Sequence, residues 1–102
     1  MSRNREQLHE FLKSMIGNDH VYYQPPESLK LKYPAIVYSM SDIKNIFADD
    51  GVYCRHNEYE VIVIDKDPES EAVNRLSLQP FCRFDRHYIS DNLNHSVFSI
   101  FY

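Results

Sequence analysis

The sequence predicts an α+β fold: a single mixed or antiparallel sheet with two helices packed on it, in the order α-β-β-β-α-β-β. Three observations carry that prediction. Apolar residues recur at helical spacing across the first 17 positions. Short β-rich runs bounded by Pro, Asn, Asp and Gly fill most of the rest. An Asp-Pro helix start at Asp67-Pro68 interrupts those runs. The length of 102 residues suits one domain spanning 1–102. Area scaling gives roughly 6,000 Å² folded against about 18,000 Å² unfolded, enough for a thin core.

The elements follow in order. Leu8, Phe11, Leu12, Met15 and Ile16 form one apolar stripe, with Ser2 as N-cap and Gly17-Asn18 as stop. Val21-Tyr22-Tyr23 is a short strand ended by Pro25-Pro26, which cannot donate ladder hydrogen bonds. Residues 27–33 read as a loop, and residues 35–40 as a central strand. Residues 41–53 combine an Asp49-Asp50-Gly51 turn signal with helix-like spacing at Ile43, Ile46 and Phe47. They are expected to be a long loop or hairpin tip carrying apolar residues, the kind of loop often tied to function. Residues 55–65 form a long strand, Tyr59, Val61 and Val63 on one face and Ile62 and Ile64 on the other. Such a strand is expected to be covered on both faces, at least at its Val61–Ile64 end. Asp67 as N-cap and Pro68 at N1 open the second helix, with Val73 and Leu76 facing inward and Pro80 closing it. A last hairpin joins residues 81–89 to residues 97–102 through an Asp91-Asn92-Leu93-Asn94 turn.

Composition excludes several function classes. Two glycines, Gly17 and Gly51, cannot make a dinucleotide fingerprint or a phosphate-binding loop. Eleven basic and fifteen acidic residues give a net charge of −4, without the clustered Lys and Arg of a nucleic-acid surface. Cys54 and Cys82 allow one disulfide at most. Arg3, Asn4, Arg5 and Glu6 leave no apolar leader, and no run approaches the ~20 residues of a membrane span. The expectation is a chain made and kept in a reducing cytoplasm with free thiols.

No constellation carries chemistry strongly. His87 and His95, with Asp85, Asp91 and Cys82 near in sequence, contain zinc or iron ligand types but match no compact ligand motif. Surface histidines and turn aspartates explain the same residues. Asp65-Lys66-Asp67 lacks the glycine of a calcium loop, since Ser70 stands at the sixth position. Cys54 with His56, or Ser90 with His87 and Asp85, can be drawn as nucleophile and base, but neither carries a nucleophile signature. No cofactor is expected.

The aromatics speak differently. Eight Tyr and six Phe, with no Trp, are many for one small core. Either they are edge-strand tyrosines, or they belong to a surface buried against neighbouring subunits. Val97, Phe98, Ile100, Phe101 and Tyr102 make the terminus apolar on both faces. Such an end should be docked, in the core or on another chain.

Four stretches carry a resemblance: Tyr23-Gln24-Pro25-Pro26-Glu27-Ser28; Leu31-Lys32-Tyr33-Pro34-Ala35-Ile36-Val37-Tyr38; Tyr59-Glu60-Val61-Ile62-Val63-Ile64-Asp65 with Asp67-Pro68; and Phe84-Asp85-Arg86-His87-Tyr88 through Asp91-Asn92-Leu93-Asn94-His95. Together they resemble small proteins encoded among the head–tail joining and tail genes of long-tailed bacteriophages, most of all the tail terminator, or tail completion, proteins. The resemblance spans nearly the whole chain, and its motifs are not catalytic.

It implies an α+β virion protein assembled in the host cytoplasm. Copies would form a ring, expected to be hexameric, that caps the tail tube, stops its polymerisation and meets the head connector. DNA would pass through the lumen without specific binding. A net charge of −4 per subunit, about −24 for six, suits a channel that repels phosphate. On this reading Asp42, Asp49 and Asp50 lie near the lumen or the tube-facing rim, and Tyr53, Phe98, Ile100 and Tyr102 include subunit contacts. The alternatives are a head-completion or stopper protein at the connector, a small metal-dependent enzyme using His87, His95 and Asp85, and a soluble small-ligand module.

Overall fold

The computed structural model describes residues 5–48 and 51–102, with side chains described outside 42–48 and 51–56. Helix α1 (Arg5–Ile16) forms along the apolar stripe. Leu8 and Leu12 are fully buried, while Phe11, Met15 and Ile16 pack around them at the core's edge. Gly17 ends the helix at φ +78°, with its N–H donating to the Lys13 carbonyl at 2.8 Å. This is the left-handed stop that glycine adopts without a Cβ penalty. The Ser2 cap lies outside the described residues.

Strands β1 (Val21–Tyr23), β2 (Ala35–Ala48), β3 (Gly51–Asp65), β4 (Cys82–Ser90) and β5 (Leu93–Phe101) make one mixed sheet in the order β1-β2-β3-β5-β4. Helix α2 (Glu71–Ser77) joins β3 to β4, so the expected α+β class and element order hold. Only β1 and β2 pair in parallel.

Cross-strand partners place the core. Ile36, Tyr38, Tyr59, Val61, Val63, Phe98 and Ile100 share one face. They cluster there with Val21 and with Leu8, Leu12, Ala72 and Leu76 from the helices. Each fully buried aliphatic or aromatic side chain contributes roughly 1.5–3 kcal/mol of transfer free energy.

Four local expectations change. Of the two expectations for residues 41–53 the hairpin holds and the long loop does not: β2 runs to Ala48 and β3 starts at Gly51, antiparallel partners down to Ala48↔Gly51 with register shifts at Met40/Asp42 and Ile46/Phe47. Strand pairing overrides the helix-like spacing of Ile43, Ile46 and Phe47. The second helix starts later than Asp67-Pro68. Its N-cap is Ser70, without a side-chain cap bond. Asp65 and Asp67 each accept a backbone N–H two residues on, from Asp67 and Glu69, both at 2.9 Å. These consecutive Asx turns carry the chain from β3 to the helix. Val73 packs at the core's edge, and Ala72 takes the buried place beside Leu76.

The last turn is also shorter. Asp91 and Asn92 take φ of 52° and 62°, and β5 starts at Leu93. Two positive-φ residues match the right-handed twist of a hairpin. Finally, both helices lie on the Tyr59–Val61–Val63 side. On the opposite face Ile64 and Val97 are buried but Ile62 is only half-buried. The cover expected at the Val61–Ile64 end is thus met at Ile64 and only in part at Ile62.

Candidate assembly surface

Two features of the sheet stand out: a two-stranded arm and long strand edges without partners. β5 pairs with β3 only from Glu58 to Asp65, and β1 pairs with β2 only from Ile36 to Tyr38. Beyond those limits β2 and β3 have each other alone among the described residues. Residues 43–48 and 51–57 therefore form a ribbon of roughly 20 Å at ~3.3 Å per residue. A register shift between Met40 and Asp42 marks its foot. There Ser41 Oγ donates to the Glu58 carbonyl at 3.1 Å, and the Tyr102 N–H donates to the Asn57 carbonyl at 3.0 Å.

The arm sets the molecule's dimensions. Its principal extents are 51 × 28 × 22 Å and its Cα radius of gyration is 14.6 Å. A compact domain of this length would give about 13 Å. The accessible surface is 6794 Å², about 700 Å² above the scaling value for a 12.2 kDa chain. That excess is close to the ~800 Å² one partner contributes to an ordinary protein interface.

At the opposite sheet edge, β4 exposes nearly all of its side chains. Phe84 is 50% exposed and Ile89 68%, so this edge carries apolar groups in water. Arg83 and Asp85 pair at 3.2 Å, and Ser99 Oγ donates to the other Asp85 oxygen at 2.5 Å. A register shift between Phe84 and Arg86 bends the strand. Charges and a bulge are how exposed edges avoid indiscriminate pairing.

The expected site residues divide sharply. Phe98 and Ile100 have no exposed surface, because they face the helices from the middle of the sheet. As subunit contacts they are corrected: this chain's own core covers them. Tyr102 packs at the core's edge, its ring 5.6 Å from Phe81 and 6.2 Å from Phe11. The apolar terminus is thus docked inside the chain. Asp42 and Tyr53 lie on the arm's two strands, their side chains outside the described set. Asp49 and Asp50 lie outside the described residues.

Part of the tyrosine excess is internal. Tyr38 and Tyr59 are buried, and Tyr23 packs on Tyr38 with ring centroids 4.9 Å apart. The Tyr38 hydroxyl meets His9 Nδ1 at 2.8 Å, the phenol's partner that a buried tyrosine requires. Burial holds the Tyr38 phenol above its ordinary pKa and holds His9 below its own, with Lys13 adding to the latter. A neutral His9 is consistent with accepting the phenolic proton in that bond. Tyr33 and Tyr88 remain exposed.

The His87–His95 and Ser90–His87 alternatives lose their geometry. His87 pairs with Ser96 and Tyr88 pairs with His95, so strand alternation sends the two histidines to opposite faces. His87 bonds Asn94 at 3.1 Å, while His95 stacks on Tyr88 at 4.7 Å. The same alternation separates Ser90 from His87. Among the described residues no three His, Cys, Asp or Glu gather to hold a metal ion. The Cys54 and His56 side chains lie outside the described set. Cys82 is a free thiol, pushed up to about 11 by burial. Cys82 faces Ile100, which faces Tyr59, leaving Cys54 five positions further along β3, about 17 Å away by strand rise. A disulfide within the chain needs less than ~7 Å between Cα atoms.

Among the described residues no helix is long and apolar enough to cross a membrane. The chain matches no protein-family model, no curated protein and no solved structure.

Proposed function

We propose that this chain is a structural protein of a long-tailed phage virion, a tail terminator whose copies form a ring. The ring caps the tail tube, stops its growth and presents its other side to the head connector. It has no catalytic role. The observation that carries this reading is the arm. A two-stranded ribbon with both outer edges open is marginal alone in water and is completed by something outside the chain. The observed element order agrees with what the resemblance implies. A ring needs two different patches per subunit, and the arm and the β4 edge lie at opposite sides of the sheet order.

The charge fits the same role. Six copies at −4 each line or flank a channel through which DNA moves without being held. On this reading Asp42, Asp49 and Asp50 belong near the lumen or the tube-facing rim. The test is tail-tube polymerisation with and without the purified chain, scored by electron microscopy. Tubes of bounded length with added density at one tip are expected. Unchanged tube growth with no binding at tube ends overturns the proposal. Binding to the connector alone selects the head-completion reading instead.

A further inference from the structure

We propose that the outer edge of β4 in one copy pairs with the outer edge of the β2 arm in the next, joining the sheets head to tail. This inference rests on the ring reading and names the contact that builds it. It starts from an inventory of open edges among the described residues. One is the outer side of β4, Cys82–Ser90. Another is β2 past its last β1 partner, residues 39–48. The third is β3 before Asn57, whose carbonyl already takes the Tyr102 N–H, residues 51–56. Strand edges are rows of unpaired N–H and C=O groups, and a third strand is what turns a marginal ribbon into a stable sheet.

Length selects the pair. The β4 edge and residues 39–48 of β2 are each about 30 Å at ~3.3 Å per residue. Residues 51–56 are shorter, and β1 is only three residues long. Access agrees. β1 stops opposite Tyr38, so the arm's outer side projects past it with no strand of its own sheet in the way.

Self-pairing of β4 is disfavoured by charge. Full antiparallel overlap of Cys82–Ser90 with its own copy centres on Arg86, setting Arg86 opposite Arg86. Like charges directly opposite are destabilising. It would also be isologous and close at two copies, whereas two different edges continue around a ring. The pairing brings exposed Phe84 and Ile89 of β4 against the neighbouring arm, which accounts for apolar groups on an otherwise charged edge.

The test uses the whole chain in a Cys54→Ser, Cys82→Ala background. Lys44→Cys, Ile46→Cys, Arg86→Cys and Tyr88→Cys are made in separate chains; positions 44 with 86 and 46 with 88 make the mixed pairs of a parallel alignment, 44 with 88 and 46 with 86 those of an antiparallel one. Circular dichroism checks that each folds. Mild oxidation of mixed chains should give a disulfide-linked dimer containing one chain of each kind, at least tenfold above either chain alone. Dominant Arg86→Cys self-linking or Lys44→Cys self-linking overturns the inference. So does a ring-sized species by native mass spectrometry in which no mixed pair links; there the ring reading survives and this contact does not. A chain that stays monomeric at every concentration overturns both.

Discussion

Phe98 and Ile100 separate a core role from an interface role by experiment. Both side chains are fully buried in one chain, and Phe98 meets Phe84 edge-on at 5.5 Å. Phe98→Ala removes a ring with no means of collapse around it, so the expected loss is about 3–5 kcal/mol. A domain of this size holds roughly 5–15 kcal/mol in total. With an unfolding entropy of ~2.1 cal/mol/K per residue, a 4 kcal/mol loss lowers Tm by roughly 20 °C. Ile100→Val, which removes one methyl, should cost about 0.5–1.5 kcal/mol and keep the fold. The assay is thermal and urea unfolding of dilute chain and of concentrated chain. The loss should be the same at both, because the contacts are within the subunit. Ile89→Ala is the contrast: at 68% exposure it should leave the dilute chain within ±0.5 kcal/mol while weakening association. A dilute Phe98→Ala chain that melts like the parent, but no longer associates, would refute the core assignment.

Other consequences are local. Gly17→Ala should cost about 1 kcal/mol in chemical denaturation: nothing lies within 4 Å of the added Cβ, so the penalty is the φ of +78° alone. An unchanged midpoint would contradict that conformation. Asp67→Ala should cost roughly 0.5–2 kcal/mol, whereas Ser70→Ala should lose no capping energy, the reverse of an ordinary N-cap. Equal and large losses at both would be wrong for this turn. Because burial holds His9 below its ordinary value, the unfolded chain binds its proton more readily. Its contribution to stability is therefore full above about pH 6.5 and falls as pH drops toward the folded value. Unfolding curves between neutral and mildly acidic pH should show this slope, and His9→Gln should flatten it. The Cys82 thiol, at about 11, should stay protonated and slow toward alkylating reagents until the chain unfolds. Its share of stability is present below the unfolded value of 9.0 and lost as pH rises through about 11. Fast labelling of the folded Cys54→Ser chain at neutral pH would contradict the burial.

The sequence foretold the elements better than their limits. Helix α1 was legible because Leu8 and Leu12 stand four apart and Gly17 follows them. The sheet's core strands were legible from alternation at Tyr59, Val61 and Val63. The arm was not. Residues 41–53 hold polar and apolar residues in no period of two, and the strand state of 41–48 and 51–53 comes from pairing with each other, a nonlocal cause. Asp67-Pro68 has the right residues for a helix start, and two Asx turns use the same side-chain chemistry to defer it.

The site was misread for a related reason. An apolar run such as Val97–Phe98–Ile100 announces burial without naming the covering partner. For Phe98 and Ile100, α1 and α2 supply it. Some tyrosines likewise found partners within the chain, as Tyr38 did in His9. The features that point outward are open edges, and an edge is a property of strand order rather than of any residue type.

On the proposed reading, copies of this chain complete one another. Native mass spectrometry of the purified chain across a range of concentrations tests it most directly. A single dominant species at six times 12.2 kDa, with little between it and the monomer, is the predicted result. A monomer at every concentration, with the arm's backbone amides exchanging as slowly as those of the central sheet, would contradict it, because the arm would then be stable with no neighbour.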